Sequence, residues 1–255
     1  MTRLSVALIC RDEEANLPAW LQAVGPFADE VVAVDSGSRD RTVPLLRAAG
    51  VRVKEHPWQG YGAQRNLAAS LCRGDWILFL DADERPDPEL TAALKRLKTE
   101  PPADTAGFEL AYKVFFFGRF LRHGGFFPEY HLRLCRRGRG RWPQREVHER
   151  LEVDGPVGRL PGYVHHHSYR DLGEYLRRME RYSLEAARQL RAQGRRANPW
   201  TAWSHGAWTF LHRYLLRLGL LDGWPGYLAA RLEALYTFTK YARLLELQAQ
   251  EEKQP

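Results

Sequence analysis

The first 100 residues alternate between short apolar runs and segments in which apolar residues recur every three or four positions. The apolar runs predict buried strands, and the recurring spacing predicts amphipathic helices. Leu17, Trp20 and Leu21, for example, fall on one face of a helix. The predicted strands are residues 4–10, 30–35, 51–54 and 75–80, and the predicted helices are 13–24, 40–49 (with Asp40 as N-cap), 63–72 and one that opens at Asp87.

Strand–helix repeats of this kind predict a parallel sheet covered by helices on both faces. In such doubly wound α/β sheets, ligands bind outside the carboxyl ends of the strands. Polar clusters follow three of the predicted strands, so we expect them to converge on one rim of the sheet. The clusters are Arg11-Asp12-Glu13, Asp35-Ser36-Gly37-Ser38 and Asp81-Ala82-Asp83.

The pattern changes in the remainder of the chain. Residues 107–117, 131–135 and 145–153 resemble strands and predict a mixed or antiparallel extension of the same sheet. From about Asp171 the spacing is helical, with breaks at Asn198-Pro199 and at 222–226 and a last helix expected over 227–248. We therefore divide the chain into residues 1–100, 101–170 and 171–255, the last being an α-helical extension.

The charge is unevenly distributed. The net charge is +7, but residues 1–100 carry 13 Lys/Arg and 15 Asp/Glu, whereas residues 101–255 carry 25 and 16. A basic second half indicates an anionic partner, such as nucleic acid, an anionic lipid headgroup or a phosphorylated acceptor. An arginine-rich, solvated surface without a partner explains the same composition equally well.

Cysteine usage and hydropathy indicate the compartment. The three cysteines are far apart, which argues against a disulfide framework or a zinc site and favours a reducing environment. The apolar run 4–10 is too short for a signal peptide, and no run reaches the roughly 18 residues that a membrane span needs. We expect a cytoplasmic protein that can lie on the inner face of the cell membrane.

Asp81 and Asp83 form the sharpest chemical signal. Two carboxylates one residue apart at the end of a buried strand are costly to place without a counter-charge. Mg²⁺ or Mn²⁺ supplies one, because these ions take oxygen ligands from one or two carboxylates and from substrate phosphates. The alternative, a helix cap followed by a solvated turn, explains the spacing less well.

Asp35 is the second candidate, since it ends a strand and is followed by Ser36-Gly37-Ser38. Gly37 allows a ligand to approach the backbone closely, and the hydroxyls offer hydrogen bonds. The carboxylate could accept from a uracil N–H or a ribose hydroxyl. A tight turn that caps the following helix is an equally good interpretation.

Three segments in this order resemble the signatures of family 2 glycosyltransferases: 4–14, 34–42 and 74–84. The segments 60–66, 145–149 and 219–226 are similar to the bacterial subfamily that includes lipopolysaccharide inner-core β-1,4-glucosyltransferases. The resemblance is specific over residues 1–170 and looser to about residue 245. It departs from many relatives at Arg11-Asp12, where they have Lys-Asn, and at Arg39, where they have Thr.

The resemblance implies a GT-A fold, a UDP-sugar donor (UDP-glucose is the best choice), a divalent metal and inversion at the anomeric carbon. It implies an acceptor in the cell envelope, such as lipopolysaccharide core or another glycolipid or polysaccharide. By the same matching, residues 1–100 bind the nucleotide sugar and 101–170 face the acceptor. The donor-binding residues would be Arg11, Asp12, Glu13, Asp35, Gly37, Gln64, Arg65, Asn66, Asp81 and Asp83, with Asp83 before Asp81 as the metal ligand.

Inversion needs a base that takes the proton of the acceptor hydroxyl, and such help is worth roughly 10²–10⁴ in rate. The resemblance favours Glu149 for this role, with Glu146 and His148 as rivals. Strand alternation puts Glu146 and His148 on one face and Glu149 on the other unless the strand ends there, so the sequence leaves the choice open. The structural alternative is that Glu149 forms an edge-strand ion pair with Arg145 or Arg150.

Two further clusters have both a functional and a structural interpretation. Adjacent histidines on a strand point to opposite faces, so 165–167 cannot chelate a metal as a unit, and we expect packing roles with one ring reaching the diphosphate. The C-terminal helices combine tryptophans such as Trp200 and Trp203 with arginines such as Arg213. That composition suits an anionic membrane interface, or a helical cap packed on the catalytic domain or on a second subunit.

Two other functions compete with glycosyl transfer. A nucleotidyltransferase would need a Gly-rich basic loop after the first strand, where this chain has Arg11-Asp12-Glu13-Glu14. A non-enzymatic basic module that binds nucleic acid would leave Asp35, Asp81 and Asp83 clustered without a purpose. We therefore do not expect a nucleic-acid partner.

Overall fold

The structure is a computed structural model that describes residues 1–116, 118–143, 150–169 and 171–251. The chain forms two compact units. The sheet unit comprises Met1–Tyr112 and Glu129–His166, and the helical unit comprises Lys113–Pro128 and His167–Pro255.

The described residues form eleven strands and seven α-helices. The strands are β1 Leu4–Cys10, β2 Glu30–Asp35, β3 Arg52–Glu55, β4 Trp76–Phe79, β5 Glu84–Pro86, β6 Gly107–Phe116, β7 Arg119–Phe120, β8 Glu129–Arg136, β9 Gly140–Arg141, β10 Glu152–Val153 and β11 Val157–Tyr169. The helices are α1 Leu17–Val24, α2 Thr42–Ala48, α3 Tyr61–Leu71, α4 Pro88–Thr99, α5 Leu172–Ala192, α6 Pro199–Leu211 and α7 Gly223–Glu251; a π-helix, His212–Leu216, and a 3₁₀ helix, Gly219–Asp222, join α6 to α7.

The main sheet is mixed, in the order β3-β2-β1-β4-β8-β6-β11-β5, and β7 pairs with the end of β6. The first four strands are parallel, as predicted, with Cys10 opposite Asp35 and Ala7 opposite Phe79. Strand β8 pairs antiparallel with both β4 and β6, which confirms the predicted mixed extension for the predicted strands 107–117 and 131–135. Of the third predicted strand, 145–153, residues 145–149 lie outside the described residues, and Glu152–Val153 does not join the main sheet. A separate two-stranded sheet joins β9 and β10.

Burial explains why the parallel strands form. Every residue of β4 is buried, and six of the seven in β1 are, because helices cover both faces. One side of the sheet packs around Trp20, Trp76 and Tyr112, and the other around Phe79 and Trp142. At the rim, Asp87 caps α4 by accepting the Leu90 N–H at 2.8 Å, as its sequence position predicts.

Three predicted boundaries were wrong for identifiable reasons. The first helix begins at Leu17 instead of residue 13, because the preceding backbone is bonded to the loop after β2. Arg41 occupies the N-cap of α2, although Asp40 does accept the Thr42 N–H at 2.9 Å. The last helix begins at Gly223 instead of residue 227, since Pro225 lies in the first turn, where a missing N–H is tolerated.

The helical unit is built on α7, against which α5 and α6 both pack. Its core includes Phe116, Leu121, Tyr175 and Leu232. The Tyr175 hydroxyl donates to the Leu232 carbonyl at 2.7 Å, which satisfies the polar end of a buried ring. Among the helices of the described segments, none is both long and apolar enough to cross a bilayer.

Gly162 in β11 allows that strand to lie against the start of α4. It has φ +88°, and a Cβ there would collide with the Leu90 backbone and lie 2.7 Å from Asp87 Oδ1. We expect Gly162→Ala to lower the free energy of unfolding by about 2–3 kcal/mol, since strain and overpacking add. Gly50→Ala is the matched control, because Gly50 has φ +74° and no atom within 4 Å. Urea unfolding curves of both variants test this, and an equal loss in the two would contradict the packing argument.

Candidate active site

The carboxyl ends of β1, β2 and β4 lie on one edge of the sheet unit, because the three strands are parallel neighbours. This edge brings together the polar clusters that follow the strands. The loops after β1 and β2 are bonded to each other. The Asp12 N–H donates to Ser38 Oγ at 2.9 Å, and the Arg39 N–H donates back to Asp12 Oδ1 at 2.7 Å.

The same two loops are joined by further bonds. The Glu13 N–H donates to Thr42 Oγ1 at 2.7 Å, and the Arg41 N–H donates to Glu14 Oε2 at 2.8 Å. The first loop thereby holds Asp12 at φ +55°, in the left-handed region. Arg11 extends from this rim with more than half of its side chain exposed, so it is accessible to a ligand.

Asp35 is buried and occupied within its own turn. Its Oδ2 accepts the N–H groups of Gly37 and Ser38, each at 2.9 Å, and its Oδ1 accepts the Ser38 hydroxyl. Gly37 adopts φ +88°, which the turn requires. Asp35 therefore shapes the turn between β2 and α2, and this structural interpretation accounts for both carboxylate oxygens.

Gln64 on α3 ties three segments of the rim together. Its side chain is fully buried, and its Nε2 donates to Ser36 Oγ at 2.8 Å and to the His56 carbonyl at 3.2 Å. Its Oε1 lies 2.9 Å from His56 Nδ1. Every polar atom of the amide is thus used by the protein, so Gln64 positions the loops around the site.

Asn66 and Arg65, on the same helix, hold Trp142. The Asn66 amide makes two bonds with the Trp142 backbone, at 2.7 Å to its carbonyl and 3.0 Å from its N–H. The Arg65 guanidinium lies 4.5 Å from the centre of the Trp142 ring, within cation–π range. The segment that leads into residues 144–149 is therefore fixed against α3.

Asp81 accepts two hydrogen bonds from Arg65, which approaches both carboxylate oxygens at 3.0 Å. Arg133 of β8 lies 3.7 Å away from the same carboxylate. Burial opposes ionisation of Asp81, but the two arginines outweigh it and hold its pKa well below the usual range. Asp81 is a permanently ionised group whose charge the protein itself compensates.

Glu84 is almost fully buried behind Asp81. It accepts the Asp81 N–H at 2.9 Å, and its other oxygen lies 3.5 Å from Arg133. Burial raises the pKa of Glu84; Arg133 opposes that rise and the charge of Asp81 adds to it. Arg133 also faces the Tyr112 ring, 5.9 Å from its centre. These groups form a charged layer beneath the rim.

Asp83 faces a different partner, His166 of β11, with Oδ2 and Nε2 3.4 Å apart. Burial disfavours the protonated ring, but the hydrogen bond and charge of Asp83 raise the pKa of His166 from 6.5 to about 9. The His166 imidazolium is thus the positive charge beside Asp83. Asp81 and Asp83 therefore differ in environment although they are one residue apart.

A divalent cation fits beside Asp83 only if a ligand supplies further oxygens. Within the described ranges, no group of three or more His, Cys, Asp or Glu side chains is arranged to hold a metal. Asp83 offers one donor and His166 a second once it releases its proton, and Mg²⁺ or Mn²⁺ commonly completes its coordination with substrate phosphates and water. The residues fit a cation that binds together with a diphosphate.

Sequence reasoning missed Glu84, Arg133 and Trp142 and did not single out His166 among its neighbours. Arg133 and Trp142 reach Asp81 and Arg65 only because β8 folds back beside β4. The pairing of β11 with β5 places His166 opposite Glu84, which no local pattern reveals. The candidate bases Glu146, His148 and Glu149 lie outside the described residues.

The family model for glycosyl transferase family 2 matches residues 5–150. The chain is 32% identical to the lipopolysaccharide core biosynthesis glycosyltransferase LpsC of Rhizobium meliloti, over 96% of this chain and 93% of that protein. It is 27% identical to an uncharacterised glycosyltransferase of Rickettsia typhi, over 97% of this chain and 88% of the relative.

A solved structure of glucosyl-3-phosphoglycerate synthase from Mycobacterium tuberculosis, in complex with Mn²⁺, UDP and glucosyl-3-phosphoglycerate, is 28% identical to this chain. The likeness covers 45% of this chain and 44% of that one, with a TM-score of 0.35. An overlap of this extent is too partial to transfer properties.

Proposed function

Because the chain belongs to glycosyltransferase family 2, we propose that it moves a sugar from a UDP-sugar, with UDP-glucose as the first choice, to a cell-envelope glycolipid or polysaccharide, with inversion. The GT-A fold with a helical C-terminal region, expected from the sequence, is the fold of this chain. Family membership favours transfer over the nucleotidyltransferase and the non-enzymatic alternatives.

One observation supports the proposal most directly: Asp83 lies beside His166 at the rim, whereas Asp81 is neutralised by Arg65. A carboxylate and an imidazole that converge at the carboxyl ends of parallel strands suit a cation shared with a donor diphosphate. Asp81, with both oxygens bonded to Arg65, better suits positioning of the ribose side of the site. We propose Asp83 as the direct metal ligand and Asp81 as its organiser.

Different residues of the chain would contact the metal, the phosphates and the nucleoside of the donor. When bound, Mg²⁺ or Mn²⁺ would neutralise the charge that develops on the leaving diphosphate. Asp83 and His166 would hold it, and Arg11 at the rim is exposed for contact with phosphate. The cross-bonded loops around Asp12 and Asp35 would hold the nucleoside through their shape and backbone.

The proton of the acceptor hydroxyl needs a base on the other side of the sugar. Glu149 is our first candidate, with Glu146 and His148 as alternatives. Trp142, whose backbone is bonded to Asn66, lies two residues before this segment in the sequence. The acceptor is proposed by analogy with the name of the Rhizobium relative, which refers to lipopolysaccharide core biosynthesis.

Donor binding tests the proposal. We expect calorimetric titration to show binding of one UDP-sugar in the presence of Mn²⁺. When the metal is omitted, the affinity should fall by about tenfold or more. UDP-glucose, UDP-galactose, UDP-N-acetylglucosamine and GDP-mannose form the panel. His166→Ala should weaken the metal-dependent part only, because it removes one of the two proposed protein donors. Binding of no nucleotide sugar, with or without metal, would overturn the proposal.

A further inference from the structure

Helix α6 packs in the helical unit with its small residues inward. Ala202 and Gly206 are buried against α7, and a Cβ on Gly206 would lie 3.2 Å from the Ala234 carbonyl and from Phe238 Cβ. The large apolar side chains of the helix point away from this contact. Their exposed fractions are 68% for Trp200, 57% for Trp203, 58% for Trp208 and 45% for Leu211, and we call these four residues the tryptophan face.

The exposed apolar surface continues into the connection to α7. We call this second part the leucine turn; it comprises Leu215, Leu216, Leu218, Leu220, Leu221 and Trp224, each at least 41% exposed. Soluble monomers rarely expose contiguous apolar patches on this scale unless the patch binds something. Burying these side chains inside the unit would have been the ordinary outcome for an amphipathic helix.

The leucine turn is held in place by polar bonds behind it. Asp222 accepts the His123 backbone N–H and faces its Nδ1, each at 2.8 Å. The Gly124 N–H donates to the Arg217 carbonyl at 2.7 Å, and Arg213 donates to the Gly124 carbonyl at 3.0 Å. These hydrogen bonds fix the backbone that carries the exposed leucines, so their exposure is a feature of the folded unit.

The sequence around this surface is basic. Residues 186–221 contain six arginines and no Asp or Glu, and two nearby acids are paired within the unit, Asp222 with His123 and Glu233 with Arg213. The helical unit as a whole carries 17 Lys/Arg and 9 Asp/Glu, a net charge of +8, so the sheet unit carries −1. The uneven charge of the sequence thus belongs to the unit that displays the tryptophan face.

We propose that the tryptophan face and the leucine turn dock on an anionic lipid bilayer. Exposed Trp and Leu with flanking Arg suit the boundary between headgroups and acyl chains, where indole rings bury their apolar part and arginine meets lipid phosphate. A second copy fits less well, because pairing this surface with itself would oppose like charges. The inference does not depend on the identity of the donor sugar.

Vesicle flotation tests the proposal with the whole chain. We expect binding to vesicles of equal parts phosphatidylcholine and phosphatidylglycerol, and little binding to phosphatidylcholine alone. The double variant Trp203→Ser/Trp208→Ser should bind about tenfold more weakly, because it removes two apolar side chains from the buried area. Arg217→Ser should weaken binding up to about fivefold on anionic vesicles only, because this exposed arginine lies between Leu216 and Leu218 and one charge near the anionic surface is lost.

Leu172→Ser/Leu176→Ser is the matched control, since both leucines are exposed but lie on α5. It should bind vesicles as the unmodified protein does. Brominated lipid should quench tryptophan emission of the unmodified protein, and less so in the tryptophan variant; unchanged far-UV circular dichroism would establish that the variants fold.

Two results would overturn the proposal. One is equal vesicle binding by the tryptophan variant and the unmodified protein, which would mean that the positive charge of the protein, and not the tryptophan face, accounts for the binding. The other is absence of vesicle binding together with a dimer that the tryptophan variant abolishes, which would assign the surface to a second copy. Either result leaves the donor titration unaffected, so the two proposals fail independently.

Discussion

Asp83→Ala is expected to lower the rate of sugar transfer by about 10³-fold while leaving the free energy of unfolding nearly unchanged. The reason is that Asp83 lies at the rim beside His166, so its loss removes the proposed metal ligand, and His166 can release its proton instead of remaining a cation without that carboxylate. Release of UDP from the donor, followed in a coupled assay with saturating Mn²⁺, measures the rate. Hydrolysis of the donor by water provides the readout while the acceptor is unidentified.

Asp154→Ala is the control for this experiment, because that carboxylate is exposed and, among the residues that the structure describes, its ion pair is with Arg139 at 3.2 Å. It should retain the rate of the unmodified protein. If Asp83→Ala also retained the rate, the proposed role of Asp83 would be wrong. If it lost the rate only because the protein unfolded, thermal melting would reveal it.

Arg133→Met is expected to lower the free energy of unfolding by about 3 kcal/mol at mildly alkaline pH. Arg133 is largely buried and lies 3.5 Å from Glu84. Without it, Glu84 would be a buried carboxylate that loses the larger of the two positive charges acting on it, with His166 remaining, and burial already raises its pKa. Urea unfolding at several pH values measures the loss.

The pH dependence has a definite sign. A carboxyl group whose pKa is raised on folding favours the native state while it is protonated, and this contribution is lost as the pH rises through the folded-state pKa. The deficit of Arg133→Met should therefore shrink at mildly acidic pH, where Glu84 takes up a proton. The double variant Arg133→Met/Glu84→Gln should recover much of the loss at alkaline pH, and a deficit that stays constant with pH and persists in the double variant would contradict this account.

The parallel half of the sheet could be predicted because its signals are local. Continuous apolar runs are typical of parallel strands covered by helices on both faces, and the runs 4–10 and 30–35 do pair in parallel. The rim followed from the same pattern, since strand ends that carry Asp35 and Asp81 must meet at one edge. Hydropathy alone was sufficient for this part of the fold.

The chemical environment of the carboxylates could not be predicted in the same way. Asp81 and Asp83 have equivalent positions in the sequence, but Arg65 bonds one and His166 faces the other. These partners come from α3 and from β11, and the second is more than 80 residues away in sequence. Their contacts depend on tertiary pairing, which periodicity does not encode.

Asn66, Gln64 and Asp35 illustrate a related limit. Matching to a family places all three near the donor, but the structure shows their polar atoms bonded to the protein's own loops. A residue required for a fixed loop and one that touches a ligand leave the same trace in a sequence motif. The hydrogen-bond partners show the first role, and contact of these residues with the donor stays a prediction.

The mutual bonds between the loops that follow β1 and β2 have a thermodynamic consequence. Because Asp12, Ser38 and Arg39 are already bonded to one another, nucleotide binding loses little conformational entropy through ordering of these loops. A nucleotide should therefore associate with this edge in a single fast step. A slow isomerisation in stopped-flow traces would have to arise elsewhere in the chain.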